Sequence, residues 1–597
     1  MNEPPTQDAS EAPFSEATAA LWRHRFRAPQ AFAPFPQDDV RTDRSPAASG
    51  PAVISPPYVP AHDPATLPLT PEQLPVTPAP QRKVPRSDRG GRRFAHVPGL
   101  LLIAILTLQA VLSLRLVWSN TASLNESIYL FGGHVELAHW LHGTPLPPLA
   151  TYLPGAPVIY PPLAALAASA GGLATARMLS LAFVLGATGL LWSTTSKLFG
   201  RPAAFFASAL FAVAGPTQVV GALATYDALA LCLLAASAWC VVSAQDRDNS
   251  TWLLVAGTSL LALANAAEYA TVVLDPAVIA LAAITVTTRR GLKPGFVRSG
   301  HLAASTLGLV GALLALGGPW YLSGVLATAF SGAGGKPMSL VLADASKWCG
   351  LVCALAALGV ICALRRADRG HLVTVIVLAV SGTLVPLDQA LLHNTASLFR
   401  EADLGAWFAA PAAGFAIARM FGAGRRMWLR AGAAALAGLL AVAVAGTTGR
   451  AQASRYFQAW PNSAATIAAL RSLTREYPGN YLAEDYGVPA YYLEGTIAWP
   501  RWSQTWYFTY ADPRTHQLLS GDAAYQAAID NGYFALIVLS FTDTAGTDAQ
   551  ILADMSQAGT YHLRDAVLVR DDSGNGQVMV WAYQPRPAGH QGSHGHG

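Results

Sequence analysis

Charge is what this sequence has least of. Asp, Glu, Lys and Arg make up 12% of its 597 residues, against about 25% in an ordinary soluble domain. A soluble chain of this length needs a large polar surface, so a purely soluble protein is excluded. Cysteine is nearly missing too. The five present (Cys232, Cys240, Cys349, Cys353, Cys362) exclude a disulfide-built scaffold and show no metal-type spacing. Their places in apolar runs suit small packing residues. The net charge of +4 is too small to suggest nucleic acid as a partner.

What is present is unevenly spread. Residues 1–96 hold 18 of the 41 prolines and no long apolar run. Such a segment cannot bury enough surface to offset its ordering entropy, so it reads as a disordered cytoplasmic tail rather than a signal peptide. It ends in a basic cluster, Arg82, Lys83, Arg86, Arg89, Arg92 and Arg93. Apolar runs follow near 97–117, 174–196, 202–220, 226–244, 251–269, 271–288, 301–325, 346–364, 371–390, 404–421 and 428–446. Each approaches the roughly 20 residues that a span needs, which predicts about eleven transmembrane helices over 97–447.

The connections alternate in charge. One set carries Lys197 and Arg201, then Arg247, then Arg289, Arg290, Lys293 and Arg298, then Arg365, Arg366 and Arg369, then Arg425, Arg426 and Arg430. The other set and its span ends carry few cations: Arg115, Arg177, Lys336, Lys347 and Arg400. Positive loops stay inside, so the expected topology has a cytoplasmic N-terminus. It also places residues 448–585 outside, as an α/β domain. In that domain Ser463–Tyr477 and Gly521–Asn531 read as helices, and Tyr481–Ala483, Phe534–Phe541 and Gln577–Tyr583 as strands. Residues 586–597, with His590, His594 and His596, read as a disordered end.

Ionisable residues are costly in and beside a bilayer, so those that persist there mark function by default. Four places stand out, all on the expected outer side. Glu126, in Asn125-Glu126-Ser127-Ile128-Tyr129, is a candidate general base, with helix capping as the alternative. Asp227 opens the fourth run, again with capping as the alternative. Glu268-Tyr269 and Asp275-Pro276 lean towards a structural role, a helix break or kink. The segment from His393 to Asp403 carries Arg400, whose guanidinium suits a phosphate, with a salt bridge to Glu401 or Asp403 as the alternative.

These residues resemble the GT-C polytopic glycosyltransferases, in particular the family 39-like proteins that use polyprenyl-phosphate sugars. The resemblance rests on Asn125-Glu126-Ser127-Ile128-Tyr129, Tyr160-Pro161-Pro162-Leu163, Ala176-Arg177-Met178-Leu179-Ser180, Leu198-Phe199-Gly200-Arg201, Tyr226-Asp227-Ala228 and the stretch from Ser397 to Phe408. It implies a multi-pass inverting glycosyltransferase of the plasma membrane. The donor would be a polyprenyl-phosphate sugar, and the acceptor a glycan, lipid or protein of the cell envelope. Glu126 and Asp227 are then the expected catalytic residues. Asn125, Tyr129, His134, Tyr160, Arg400 and His393 are the expected substrate contacts. No redox cofactor is needed, and a divalent metal is possible, though its ligands here would be few. The sequence departs from the family at Asn125, where an Asp is usual, because an amide cannot take a proton as a base. A transporter or lipid flippase, or a non-catalytic envelope protein, are the alternatives.

Overall fold

The computed structural model describes residues 97–585 apart from 148, 152, 247–250, 331–334, 366–368, 396, 421–426 and 573. The expected tail 1–96 with its basic cluster, and the histidine-bearing end, lie outside the described residues.

The chain begins with α1 (Val97–Val117) and α2 (Leu124–His142). Ser123 caps α2. Its side chain accepts from the Glu126 amide, and the Glu126 carboxylate accepts from the Ser123 amide, a reciprocal capping box. Next is α3 (Tyr160–Phe199), started by Pro161 and Pro162, which fit the first helical turn, and broken at Gly171 and Gly172. α4 (Arg201–Val213) and α5 (Gly215–Val220) divide the predicted run 202–220 at Ala214, whose ψ of 145° is extended. α6 (Asp227–Ser243), α7 (Thr251–Ala267), α8 (Asp275–Arg290) and α9 (Leu292–Phe330, broken at Gly318) follow. The block ends with α10 (Met338–Arg365), α11 (Arg369–Leu391), α12 (Leu398–Met420) and α13 (Met427–Tyr456).

All eleven apolar runs fall on helices. Seven described helical segments are long and apolar enough to cross a membrane: Gly99–Val117, Tyr160–Phe199, Tyr269–Arg290, Leu292–Pro319, Met338–Arg365, Gly370–Leu391 and Gly432–Tyr456. Arg201–Val213, Asp227–Ser243 and Thr251–Ala267 are apolar but shorter. The chain is thus a polytopic α-helical membrane protein. α12 is buried almost throughout. Its contact with α4 is close enough that a Cβ on Gly414 would stand 2.2 Å from the Ala203 carbonyl oxygen.

α13 runs past residue 447 to Tyr456 and leads into the C-terminal α/β region. There α14 (Ala464–Glu476), β1 (Asn480–Ala483), α15 (Gly487–Tyr492), β2 (Trp502–Gln504), β3 (Thr509–Ala511), β4 (Leu518–Ser520), α16 (Asp522–Asp530), β5 (Phe534–Leu539), α17 (Ala545–Ala558), β6 (Tyr561–Asp571) and β7 (Gly574–Tyr583) follow in order. Five strands form one sheet in the order β2-β1-β5-β7-β6. β1 runs parallel to β2 and β5, and β7 is antiparallel to β5 and β6. β3 and β4 pair as a separate hairpin.

α2 joins the two regions. Phe131 and Val135 lie in the core that holds Tyr481, Trp502 and Leu536. Tyr129 and Leu130 lie in the core that holds Leu149, Tyr160 and Tyr226. Its Gly133 backs onto α3, where a Cβ would come within 2.0 Å of the Pro161 carbonyl oxygen. Only glycine allows this spacing.

Candidate active site

Glu126 and Arg177 both have fully buried side chains. Arg177 grips Glu126 bidentately, Nε to Oε1 and a terminal nitrogen to Oε2, each at 2.7 Å. Glu126 Oε1 also accepts from the Ala224 amide at 2.9 Å, and Oε2 from the Ser123 amide at 3.0 Å. The remaining guanidinium protons go to the carbonyls of Val117, Asn120 and Thr121 at 2.7, 2.9 and 3.2 Å. All five donors of the fork are therefore used. This knot ties the end of α1, the start of α2, α3 and the loop before α6. Both oxygens of Glu126, the candidate base of the sequence, are thus engaged by the guanidinium and two amides. The capping alternative describes Glu126 better. Asn125 beside it is exposed.

A second cluster forms around Arg400. Its guanidinium pairs with Asp227 Oδ2 at 3.1 Å and lies over the Tyr226 ring, 5.9 Å from the centroid. The expected alternatives of a pair with Glu401 or Asp403 are replaced. Glu401 accepts from Gln389 Nε2 at 2.5 Å, and Asp403 from Thr217 Oγ1 at 2.5 Å. Asp227 opens α6 without acting as its cap: the cap position belongs to Tyr226, and no side chain bonds there. The capping alternative for Asp227 thus fails, and its place beside Arg400 explains its burial.

Around this pair the polar atoms are unusually unsatisfied. Asp227 Oδ1, Arg400 Nε, Asp403 Oδ2 and both carboxylate oxygens of Glu268 are buried and have no hydrogen-bond partner among the described residues. Buried polar groups are nearly always paired, so a group of unpaired ones in one place marks a candidate binding site. Glu268 is 1% exposed and lies within electrostatic reach of Asp227, Glu401, Arg400 and Asp403. It is the residue that sequence reasoning undervalued. It takes the cap position before the short 3₁₀ helix Tyr269–Leu274 but makes no capping bond, so the structural role expected for it is not filled. Its signal was a carboxylate at the end of an apolar helix. Its neighbour Asp275 does have a structural partner, accepting from Asn265 at 2.9 Å, and starts α8 rather than kinking it.

The expected contact residues divide. Tyr129 packs edge-on against Tyr226 at 5.0 Å and Tyr160 at 6.0 Å between ring centroids. Tyr160 shares a hydrogen bond with Ser180 Oγ at 3.1 Å. Both rings lie within electrostatic reach of Asp227, and Tyr129 also of Arg400. His134 is held elsewhere, 2.6 Å from Glu494 and 3.3 Å from the Ala165 carbonyl oxygen. His393, at a left-handed φ of 55°, bonds the Lys336 carbonyl at 2.8 Å. Among the described residues no group of three or more His, Cys, Asp or Glu side chains is arranged to hold a metal ion.

Comparison with known proteins adds the lineage. The family described as dolichyl-phosphate-mannose-protein mannosyltransferase matches residues 158–316, from the loop before α3 into α9. No curated protein matches the chain by sequence. Among solved structures, ArnT from Cupriavidus metallidurans bound to undecaprenyl phosphate is similar at 14% identity and a TM-score of 0.51, covering 81% of this chain and 98% of that one. The archaeal oligosaccharyltransferase AglB from Archaeoglobus fulgidus, in complex with an inhibitory peptide and a dolichol-phosphate, is similar at 13% identity and a TM-score of 0.51, covering 82% of this chain and 74% of that one. The helical block followed by a C-terminal sheet is thus the fold that this chain shares with ArnT and AglB.

Proposed function

We propose that the chain moves a sugar from a polyprenyl-phosphate donor to a hydroxyl of a cell-envelope glycan, lipid or protein at the outer face of the plasma membrane. The alternation of basic and charge-poor connections supports a cytoplasmic N-terminus and an external C-terminal region. Similar structures bound to undecaprenyl phosphate and to dolichol-phosphate support the donor class. The observation that carries the reading is the buried pair of Asp227 and Arg400, with Asp227 Oδ1 and Arg400 Nε unpartnered among the described residues.

In this reading Asp227 takes the proton of the acceptor hydroxyl through its free oxygen. The acceptor oxygen attacks the anomeric carbon, and the bond from that carbon to the phosphate oxygen breaks. The electron pair leaves on the lipid phosphate, which Arg400 binds through its free Nε–H. Charge stabilisation of this kind is usually a large share of catalysis. One displacement inverts the anomeric centre. Glu268 is placed to accept from sugar hydroxyls, and the tyrosine rings exclude water. Glu126 and Arg177 hold the loop that carries Asp227. The test uses the purified full chain in nanodiscs with a panel of polyprenyl-phosphate sugars and membrane-extract acceptors. Acceptor-dependent release of free polyprenyl phosphate is expected, and its absence with every donor would sink the reading.

A further inference from the structure

The C-terminal region holds a second concavity that sugar transfer does not use. It has a volume of about 250 Å³ and is lined by Arg471, Thr474, Arg475, Tyr481, Ile497 and Arg501, with Pro478 and Thr496 at its edge. Thr474, Tyr481 and Ile497 form a buried floor, and the three arginines are exposed around it. Arg471 and Arg475 stand one turn apart on α14 and so share a face. Arg501 closes the opposite side from the single turn Trp499–Arg501. Among the described residues none of the three guanidinium groups has a hydrogen-bond or ion-pair partner.

Three like charges drawn to one cavity repel one another unless an anion sits between them. Hydroxyls on the floor give the cavity no negative charge to do this. Thr474 donates to the Leu470 carbonyl and Thr496 to the Leu493 carbonyl. The planar forks suit the oxygens of a phosphate, which several arginines grip at once. The volume lies just under the small-molecule range that starts near ~300 Å³, so it accepts one phosphorylated group rather than a chain. α14 is anchored: Ile467 and Leu470 pack in the core with Phe131 and Val135 of α2. The two arginines are therefore presented from an anchored helix.

We propose that Arg471, Arg475 and Arg501 form a phosphate-binding site, filled by a phosphorylated saccharide or by the phosphate of an anionic lipid headgroup. The site is separate from the Asp227–Arg400 pair, and its test needs no sugar transfer. Binding of inorganic phosphate, glucose 6-phosphate and glucuronate to the full chain in zwitterionic nanodiscs is measured by calorimetry, and repeated in nanodiscs containing anionic phospholipid. Saturable glucose 6-phosphate binding is expected, weakened about tenfold or more by R475Q or R501Q, as loss of a charged hydrogen bond implies. It also weakens as salt is raised, since the arginines are exposed. Loss of this binding in anionic nanodiscs assigns the site to headgroups, and retention assigns it to a soluble phosphorylated saccharide. Unchanged binding in the triple glutamine variant, tighter binding of glucuronate than of either phosphate, or no binding of any probe would overturn the proposal. Equal unfolding midpoints for parent and triple variant separate lost binding from lost fold.

Discussion

Replacing Glu126 by Gln asks whether that residue works in chemistry or in architecture. Gln keeps the shape but offers one acceptor oxygen where the carboxylate offered two. That oxygen can still take Arg177 Nε and the Ala224 amide. The new amide nitrogen then faces the other Arg177 nitrogen and the Ser123 amide, both donors. One buried cation loses its counter-charge and two buried donors lose their acceptor. Breaking a buried pair in this way costs about 3–5 kcal/mol. The expected result is a loss of that size in guanidinium unfolding of the detergent-solubilised chain, followed by tryptophan fluorescence. The double variant E126Q/R177M removes the stranded cation as well. It should lose less than the sum of the single changes, by up to about 3 kcal/mol. It will not return to parent stability, because the carbonyls of Val117, Asn120 and Thr121 stay without their donor. A Gln variant within about 1 kcal/mol of the parent that has lost sugar transfer would refute the architectural role and restore Glu126 as the base.

Other consequences can be checked independently. R400K keeps the charge but loses the fork, so KM for the polyprenyl-phosphate donor should rise about tenfold to a hundredfold with KM for the acceptor unchanged; the reverse pattern would place Arg400 on the acceptor. Gly133→Ala pushes a methyl against the Pro161 carbonyl and should cost about 1–3 kcal/mol, with lower activity as Tyr160 moves; parent-like stability would contradict the close approach of α2 and α3. The C-terminal region should weaken as pH rises. Burial and the neighbouring charge of Glu484 push the Asp548 carboxyl up to about 8. Burial pushes Glu484 up too, but bonds from Ser540, Thr544, Asp548 and Thr542 outweigh that and hold it below its ordinary value. The folded state therefore keeps a proton on Asp548 that the unfolded chain loses near pH 4. Its contribution is complete at low pH and is lost as pH rises through about 8, by at most ~1.4 kcal/mol per pH unit. Hydrogen exchange of β1 and β5 should quicken from pH 5 to 8 after correction for intrinsic rates, and D548N should reduce the dependence; the same slope in D548N would rule out this carboxyl as its source.

How much could be read in advance differs by element. Apolar runs carry their own evidence, and every one lies on a helix. β1 and β5 were legible as short apolar runs that are buried almost throughout, and β7 by the alternation of its sequence. β6 was not, because most of its side chains are exposed and His562, Arg564 and Asp565 break the apolar pattern. In the site, sequence singled out Glu126, Asp227 and Arg400 as costly charges but could not say which paired with which. Glu126 and Arg177 are 51 residues apart, and Asp227 and Arg400 are 173 apart. Periodicity reports local faces only, so it cannot see such pairings. Glu268 was undervalued because only the packed helices show that nothing satisfies its oxygens.

The most direct measurement is single-turnover transfer by D227N from a labelled polyprenyl-phosphate sugar, read beside donor binding. Asn preserves the volume but cannot take the acceptor proton. Transfer should fall about 10²–10⁴-fold, the range typical of a lost general base, while the donor still binds through Arg400. D227N turning over at the parent rate would contradict Asp227 as the base and remove the Asp227–Arg400 pair from the centre of the reaction.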